Sequence, residues 1–285
     1  MGENKFGGPW TIEKLDILSK YLNAYAQALK EQLFNIIYID AFAGNGKIDI
    51  DGQEEQIEGS VRLALNAENK FDKYIFIEKK KAFANDLQKI VSDEYSNFKD
   101  IVKIINGDCN DEIIKLCKEI DWKTNRAVLF LDPYSMQVNW NTLEVIANTQ
   151  AVDVWYLFPL GASNRLLKKD GSNIDKTWKN KLNSIFGDEY WFERFYMENP
   201  QMSFFQKEKP DYIKIANTFE IVNYIKERLS TSFSFVANNP KILYNSKNSP
   251  LFLFCFAMSN KSGKAIGLAQ RFANYILGDR GDYDV

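Results

Sequence analysis

The segment Phe34-Asn35-Ile36-Ile37-Tyr38-Ile39-Asp40-Ala41-Phe42-Ala43-Gly44-Asn45-Gly46 runs from a β-rich apolar stretch into an acid and two closely spaced glycines. Branched and aromatic side chains favour a strand up to Asp40, and glycine ends it by tolerating the backbone angles of a tight turn. A helix comes before it. Ile12, Leu15, Leu18, Leu22, Tyr25 and Leu29 recur every three or four positions, which predicts an amphipathic helix from Thr11, its N-cap, to about Leu33.

The same alternation continues downstream. An acidic, polar stretch over 47–58 is read as irregular, and Gly59-Ser60 opens a capped helix. Strands follow over 73–77, 101–105, 127–132 and 152–158, separated by helices over 82–94, 111–119 and 141–149. Runs such as Val128-Leu129-Phe130-Leu131 are apolar throughout, as in strands buried on both faces of a parallel sheet. Residues 163–211 carry many aromatics and lysines with no clean strand and two short helices, and are read as a helical insertion. A helix over 212–229, strands over 232–237 and 251–258 and a helix to about Leu277 complete the chain. The expected fold is α/β: a doubly wound, mostly parallel, seven-stranded Rossmann-like sheet in one domain over residues 1–285, with one antiparallel strand.

Composition removes several chemistries. With 285 residues, 45% of them hydrophobic, the chain can bury a full core. It contains no histidine, which excludes Ser-His and Cys-His nucleophile pairs and His-ligated zinc. Cys109, Cys117 and Cys255 show no Cys-x-x-Cys spacing, so neither a disulfide framework nor structural zinc is expected. The 36 Lys plus Arg and 38 Asp plus Glu give a net charge of −2, so a polyanion would need a local basic patch. No apolar run approaches the roughly 20 residues of a membrane span, and Met1 to Phe6 lack a signal-peptide pattern; a cytoplasmic protein with no membrane contact is expected.

Ligands of open α/β sheets bind beyond the carboxyl ends of the strands, and here those ends form a series. Asp40 with Gly44 and Gly46 ends the first strand, Glu78 the second, Asp108 the third and Asp132 the fourth. Glycines admit close backbone approach, an acid after the second strand can accept from both ribose hydroxyls, and one after the third can accept from an adenine amine. For each acid alone, the alternative is a solvated turn or a helix cap. A dinucleotide fingerprint would need a small residue at Asp49, and a Walker loop would need a Ser or Thr after Lys47; neither is present.

The Asp-x-Phe-x-Gly-x-Gly turn with Glu78, Asp108 and Asp132 resembles class I S-adenosylmethionine-dependent methyltransferases. More closely, Trp10 and Lys14, Tyr38 to Gly46, Gly59-Ser60, Glu78, Gly107-Asp108, Leu131 to Tyr134, Val138 with Trp140, Asp153, Phe158-Pro159 and Asn164-Arg165 resemble the three-Cys-motif partner proteins over about the first two-thirds of the chain. That family is similar to methyltransferases in fold and is paired in genomes with a phage-type protein bearing a three-cysteine motif. The resemblance implies S-adenosylmethionine as cofactor, held by Asp40, Phe42, Gly44, Gly46, Glu78, Asp108 and Cys109. It also implies such a partner protein, and Trp10, Lys14, Ser60 and Arg165 as substrate-side residues.

Asp132-Pro133-Tyr134 resembles the Asp-Pro-Pro-Tyr motif of exocyclic-amine methyltransferases with one proline missing. The motif implies that Asp132 and the Pro133 carbonyl orient an amine while Tyr134 stacks on a base, a contact worth roughly 1–3 kcal/mol. No metal is called for. Pro133 is followed by Tyr134, not by the cysteine that C5-cytosine chemistry uses, and Cys109 is read as a packed small residue. Other readings stay open: a non-catalytic cofactor- or nucleic-acid-binding subunit acting with a partner, or a small-molecule methyltransferase. Arg165, Lys168, Lys169, Lys176, Lys179 and Lys181, with the rings of Tyr190, Trp191, Phe192, Phe195 and Tyr196, form either a nucleic-acid surface or solvated lysines and packing rings.

Overall fold

The computed structural model describes residues 9–48, 57–200 and 211–278. Most of the acidic stretch after Gly46 (49–56), part of the insertion (201–210) and Met1 to Phe6 lie outside the described residues. In chain order the main elements are α1 (Pro9–Leu29), β1 (Asn35–Asp40), α2 (Ser60–Asn66), β2 (Lys73–Glu78), α3 (Lys81–Glu94), β3 (Val102–Asn106), α4 (Cys109–Glu119), β4 (Asn125–Leu131), α5 (Trp140–Asn148) and β5 (Val152–Phe158). The insertion contributes α6 (Leu160–Leu166), α7 (Lys176–Phe186) and α8 (Trp191–Phe195). After it come α9 (Thr218–Ser232), β6 (Phe235–Val236), β7 (Lys241–Tyr244), β8 (Pro250–Met258) and α10 (Gly263–Leu277).

The sheet runs in the order β3-β2-β1-β4-β5-β8-β6. All pairs from β3 to β5 are parallel, while β8 is antiparallel to β5 and to the edge. Two short segments share that edge, because β7 also pairs with β8 and Phe254 has both Leu157 and Lys241 as partners. The expected seven-position sheet is present, with its outermost position split between β6 and β7.

Period-two alternation divides the core into two layers. Ile37, Ile39, Ile75, Ile77, Leu129, Leu131 and Val154 pack with residues of α4, α5, α7, α8 and α9 on one face. Ile36, Tyr38, Tyr74, Phe76, Val128, Phe130 and Trp155 pack with α1, α2, α3 and α10 on the other. Val128 and Phe130 are fully buried, and each such side chain stabilises the fold by about 1.5–3 kcal/mol.

Several sequence expectations need correction. Helix α1 begins at Pro9, so Thr11 lies inside it and is no cap; proline suits a first turn, where the missing N–H has no partner to lose. Helix α2 follows Gly59 without a side-chain cap. Tyr212, expected to open a helix, lies instead in a short strand, Tyr212–Lys214, paired with Tyr196–Glu198 as an antiparallel ribbon. Helix α9 starts six residues beyond Tyr212, where the Asn217 side chain accepts from the Glu220 N–H.

Candidate cofactor and acceptor crevice

The strand order reverses between β1 and β4, and the candidate site lies beyond the carboxyl ends of these strands and of β2 and β3. Gly44 and Gly46 have φ of +63° and +77°, the left-handed region in which a side chain is strained. A Cβ on Gly44 would meet nothing within 4 Å, so Gly44 presents bare backbone to open space, whereas a Cβ on Gly46 would meet Ile90 and Leu87 of α3 at 3.0 and 3.2 Å. The Gly44 N–H donates to Glu78 Oε2 at 3.0 Å, and the Lys80 N–H donates to Oε1 at 2.7 Å. Glu78 is thereby fixed, with one further acceptor position left on each oxygen.

Asp40 is fully buried, and both its oxygens are engaged: the Phe42 N–H donates to Oδ1 at 3.0 Å and the Ser60 hydroxyl to Oδ2 at 2.5 Å. Burial pushes its carboxyl up to about 6, against the opposing pull of these hydrogen bonds. Asp40 and Ser60 thus brace the glycine turn from behind, and Phe42 contributes its backbone, where the sequence suggested direct ligand contacts.

At the third corner Asp108 caps α4. Its Oδ1 accepts from the Asn110 N–H at 3.0 Å, and its Oδ2 from Lys79 Nζ at 3.1 Å. Burial raises its pKa, but the hydrogen bonds from Lys79 and Asn110 outweigh this and leave the carboxyl below its ordinary value. Cys109 is buried and its thiol is pushed up to about 12, chiefly by desolvation and then by Asp108, so it is no thiolate nucleophile.

The fourth corner holds a charge pair. Lys14, 4% exposed on α1, donates its ammonium to Asp132 Oδ2 and lies 4.8 Å from the centre of the Trp10 ring. Trp10 packs against Phe252 at 5.2 Å. Pro133 is buried, while Tyr134 is 58% exposed at the crevice rim. Burial, then the charges of Glu78 and Asp132, raise the Tyr134 pKa.

Asn110, which sequence reasoning missed, joins the corners. Its side-chain amide donates to Asp108 Oδ1 and to the Gln137 carbonyl, and its oxygen accepts from the Asn139 N–H and the Thr142 hydroxyl. A buried asparagine satisfied on both ends locks the segment after Tyr134 onto the first turn of α4. Its only sequence signal is its place two residues after a capping acid. Lys79, exposed just before α3, also belongs to this corner through its ion pair with Asp108.

Arg165 is exposed on α6, the helix that leaves the end of β5. Trp191, Phe195 and Tyr196 are buried, and Lys168 and Lys179 lie over Trp178 and Phe192, so these groups pack the insertion, while Tyr190 is exposed. An open depression of about 650 Å³ on the insertion, with Asn164, Lys169, Asp170 and Lys214 in its wall, includes none of the strand-end acids. Among the described residues, no helix is long and apolar enough to cross a membrane.

Strand order, the single antiparallel strand and a reversal point flanked by acids give this protein the fold of class I methyltransferases. No family model and no curated protein matches the chain. Among solved structures, a protein from Legionella pneumophila is 12% identical, covering 95% of this chain and 93% of its own with a TM-score of 0.48. An O-methyltransferase from Bacillus cereus, solved with SAH, is 9% identical over 90% of this chain and 84% of its own, with a TM-score of 0.46. A spermidine synthase from Thermotoga maritima is 11% identical over 95% and 76%, with a TM-score of 0.41. The class therefore rests on this chain's own strand order and strand-end residues.

Proposed function

We propose that this protein is an S-adenosylmethionine-dependent methyltransferase acting on an exocyclic amine of a nucleic-acid base. The observation that carries the reading is the Gly44–Glu78 hydrogen bond, which joins a bare-backbone glycine turn to a fixed carboxylate beside the reversal point. The residues suit the cofactor: Gly44 offers close backbone approach, Gly46 turns the chain against α3, Glu78 retains acceptor capacity for ribose hydroxyls, and Asp108 serves the adenine amine. Bound there, the cofactor supplies an electrophilic methyl group on a sulfonium. Asp132 and the Pro133 carbonyl orient the acceptor nitrogen, Tyr134 offers a ring on which a base stacks, and catalysis is mainly positioning.

The resemblance to three-Cys-motif partner proteins fits this reading, since Trp10, Lys14, Glu78, Asp108 and Asp132 all fall at the crevice; a three-cysteine protein is then the expected partner. Free thiols at Cys109, Cys117 and Cys255 agree with a cytoplasmic location. Engagement of Asp132 by Lys14 favours one second reading, a cofactor-binding subunit whose partner completes the chemistry.

Methyl transfer from labelled cofactor into total RNA, DNA and protein separates the two. The enzyme reading expects label in nucleic acid that Asp132→Ala abolishes. Cofactor binding with no label in any pool would favour the subunit.

A further inference from the structure

Four acids end the strands around the crevice, and their charges are balanced differently. Glu78 is held by two backbone amides and Asp40 by an amide and a hydroxyl, so neither pairs with a full cation. Asp108 pairs with Lys79, whose side chain is 72% exposed, whereas the cation of Asp132 is buried and comes from 118 residues away on α1. The Lys14 side chain is 5% exposed and that of Asp132 is 23% exposed, so water screens this pair weakly. A buried ammonium is costly unless paired, which ties Lys14 to this position. Among the described residues, Asp132 Oδ1 accepts no hydrogen bond.

We propose that Lys14 is a positioning residue that clamps one oxygen of Asp132 and cancels its charge, so that the crevice takes an uncharged aromatic amine and not a protonated aliphatic one. This rests on reading Asp132 as the acceptor-side carboxylate. With Oδ2 held, Oδ1 can accept one N–H of a neutral amine, whose lone pair would form the N–C bond as the methyl carbon parts from the sulfonium sulfur, the N–H proton passing to Oδ1 or to water. A protonated amine would meet the Lys14 ammonium at the carboxylate it needs, and it has no lone pair to offer.

Calorimetric titration of S-adenosylmethionine and of its neutral product S-adenosylhomocysteine into the full chain tests the charge balance, because their affinity ratio reads the charge near the sulfur. Lys14→Met exposes the Asp132 charge and is expected to shift the ratio towards the sulfonium by about threefold or more. Lys14→Arg should leave the ratio near wild type, and Asp132→Asn should move it the other way. A ratio unmoved by Lys14→Met, or one that Arg fails to preserve, overturns the proposal. A wild type that binds neither ligand instead overturns the cofactor reading on which it depends. The acceptor half is read by labelled transfer to a mixed-sequence oligonucleotide and to spermidine. Label in the oligonucleotide alone is expected, and label in spermidine overturns it. Label in neither overturns the acceptor role of Asp132, and the charge balance is still read by the affinity ratio.

Discussion

The Gly44 N–H reaches 3.0 Å to Glu78 Oε2 and fastens the turn after β1 to the end of β2. The φ of +63° at Gly44 makes this donor geometry available, and no neighbouring atom would obstruct a Cβ there. Gly44→Ala therefore tests conformation without a clash. We expect a stability loss of about 1–2 kcal/mol by chemical denaturation, together with weaker cofactor binding. Unchanged values for both would mean that the turn is not held in this conformation.

Tyr134 is exposed, so its ring contributes little to the core. Tyr134→Ala should leave the unfolding midpoint and cofactor affinity near wild type while lowering label transfer to nucleic acid by about 10- to 100-fold, the equivalent of one lost base stack. Undiminished transfer would remove the stacking role.

Asp153 lies under α1, where the Tyr21 hydroxyl donates to its Oδ2 at 2.5 Å. Burial raises its carboxyl from 3.8 to about 7, with the Tyr21 hydrogen bond and Arg126 pulling the other way. The folded state therefore holds a proton that the unfolded state has lost between these values. This contribution to stability is complete below about pH 4 and disappears as pH rises through about 7. Asp153→Asn should flatten the fall in melting temperature from about pH 5 to about pH 8. Parallel curves for variant and wild type would contradict the protonation of Asp153 in the fold. Asp40, also raised by burial, keeps its own share of the slope in both proteins.

The insertion offers a paired test of its packing. Trp191 is 1% exposed and Tyr190 is 70% exposed. Trp191→Ala should cost about 3–5 kcal/mol, and Tyr190→Ala no more than about 0.5 kcal/mol. Comparable losses would show that these rings do not divide into core and surface.

The ends of β1, β2 and β4 were legible because each follows an apolar run of strand length and β-rich composition, while β3, with Lys103 in its middle, is only partly buried. Thus Ile36 to Asp40 and Val128 to Leu131 announced both the parallel sheet and the acids beyond it. The ribbon between Tyr196–Glu198 and Tyr212–Lys214 was not, since three-residue strands leave no periodicity and their pairing is decided in space. The edge segment Lys241–Tyr244 was missed for the same reason. Within the site, residue types marked the corners but not who holds whom. Sequence marks Asp40 but not the Phe42 amide and Ser60 hydroxyl that hold it, and the Lys14–Asp132 pair spans a separation that local pattern does not encode.

Whether the ends of β1, β2 and β3 grip S-adenosylmethionine is read by calorimetry on the wild type, Glu78→Ala and Asp108→Ala. We expect wild-type binding on the order of micromolar, weakened at least about tenfold by each substitution. Asp108→Ala should also lose about 1 kcal/mol of stability as the cap of α4. No binding by the wild type, or unaltered affinity in both variants, would rule out this cofactor site.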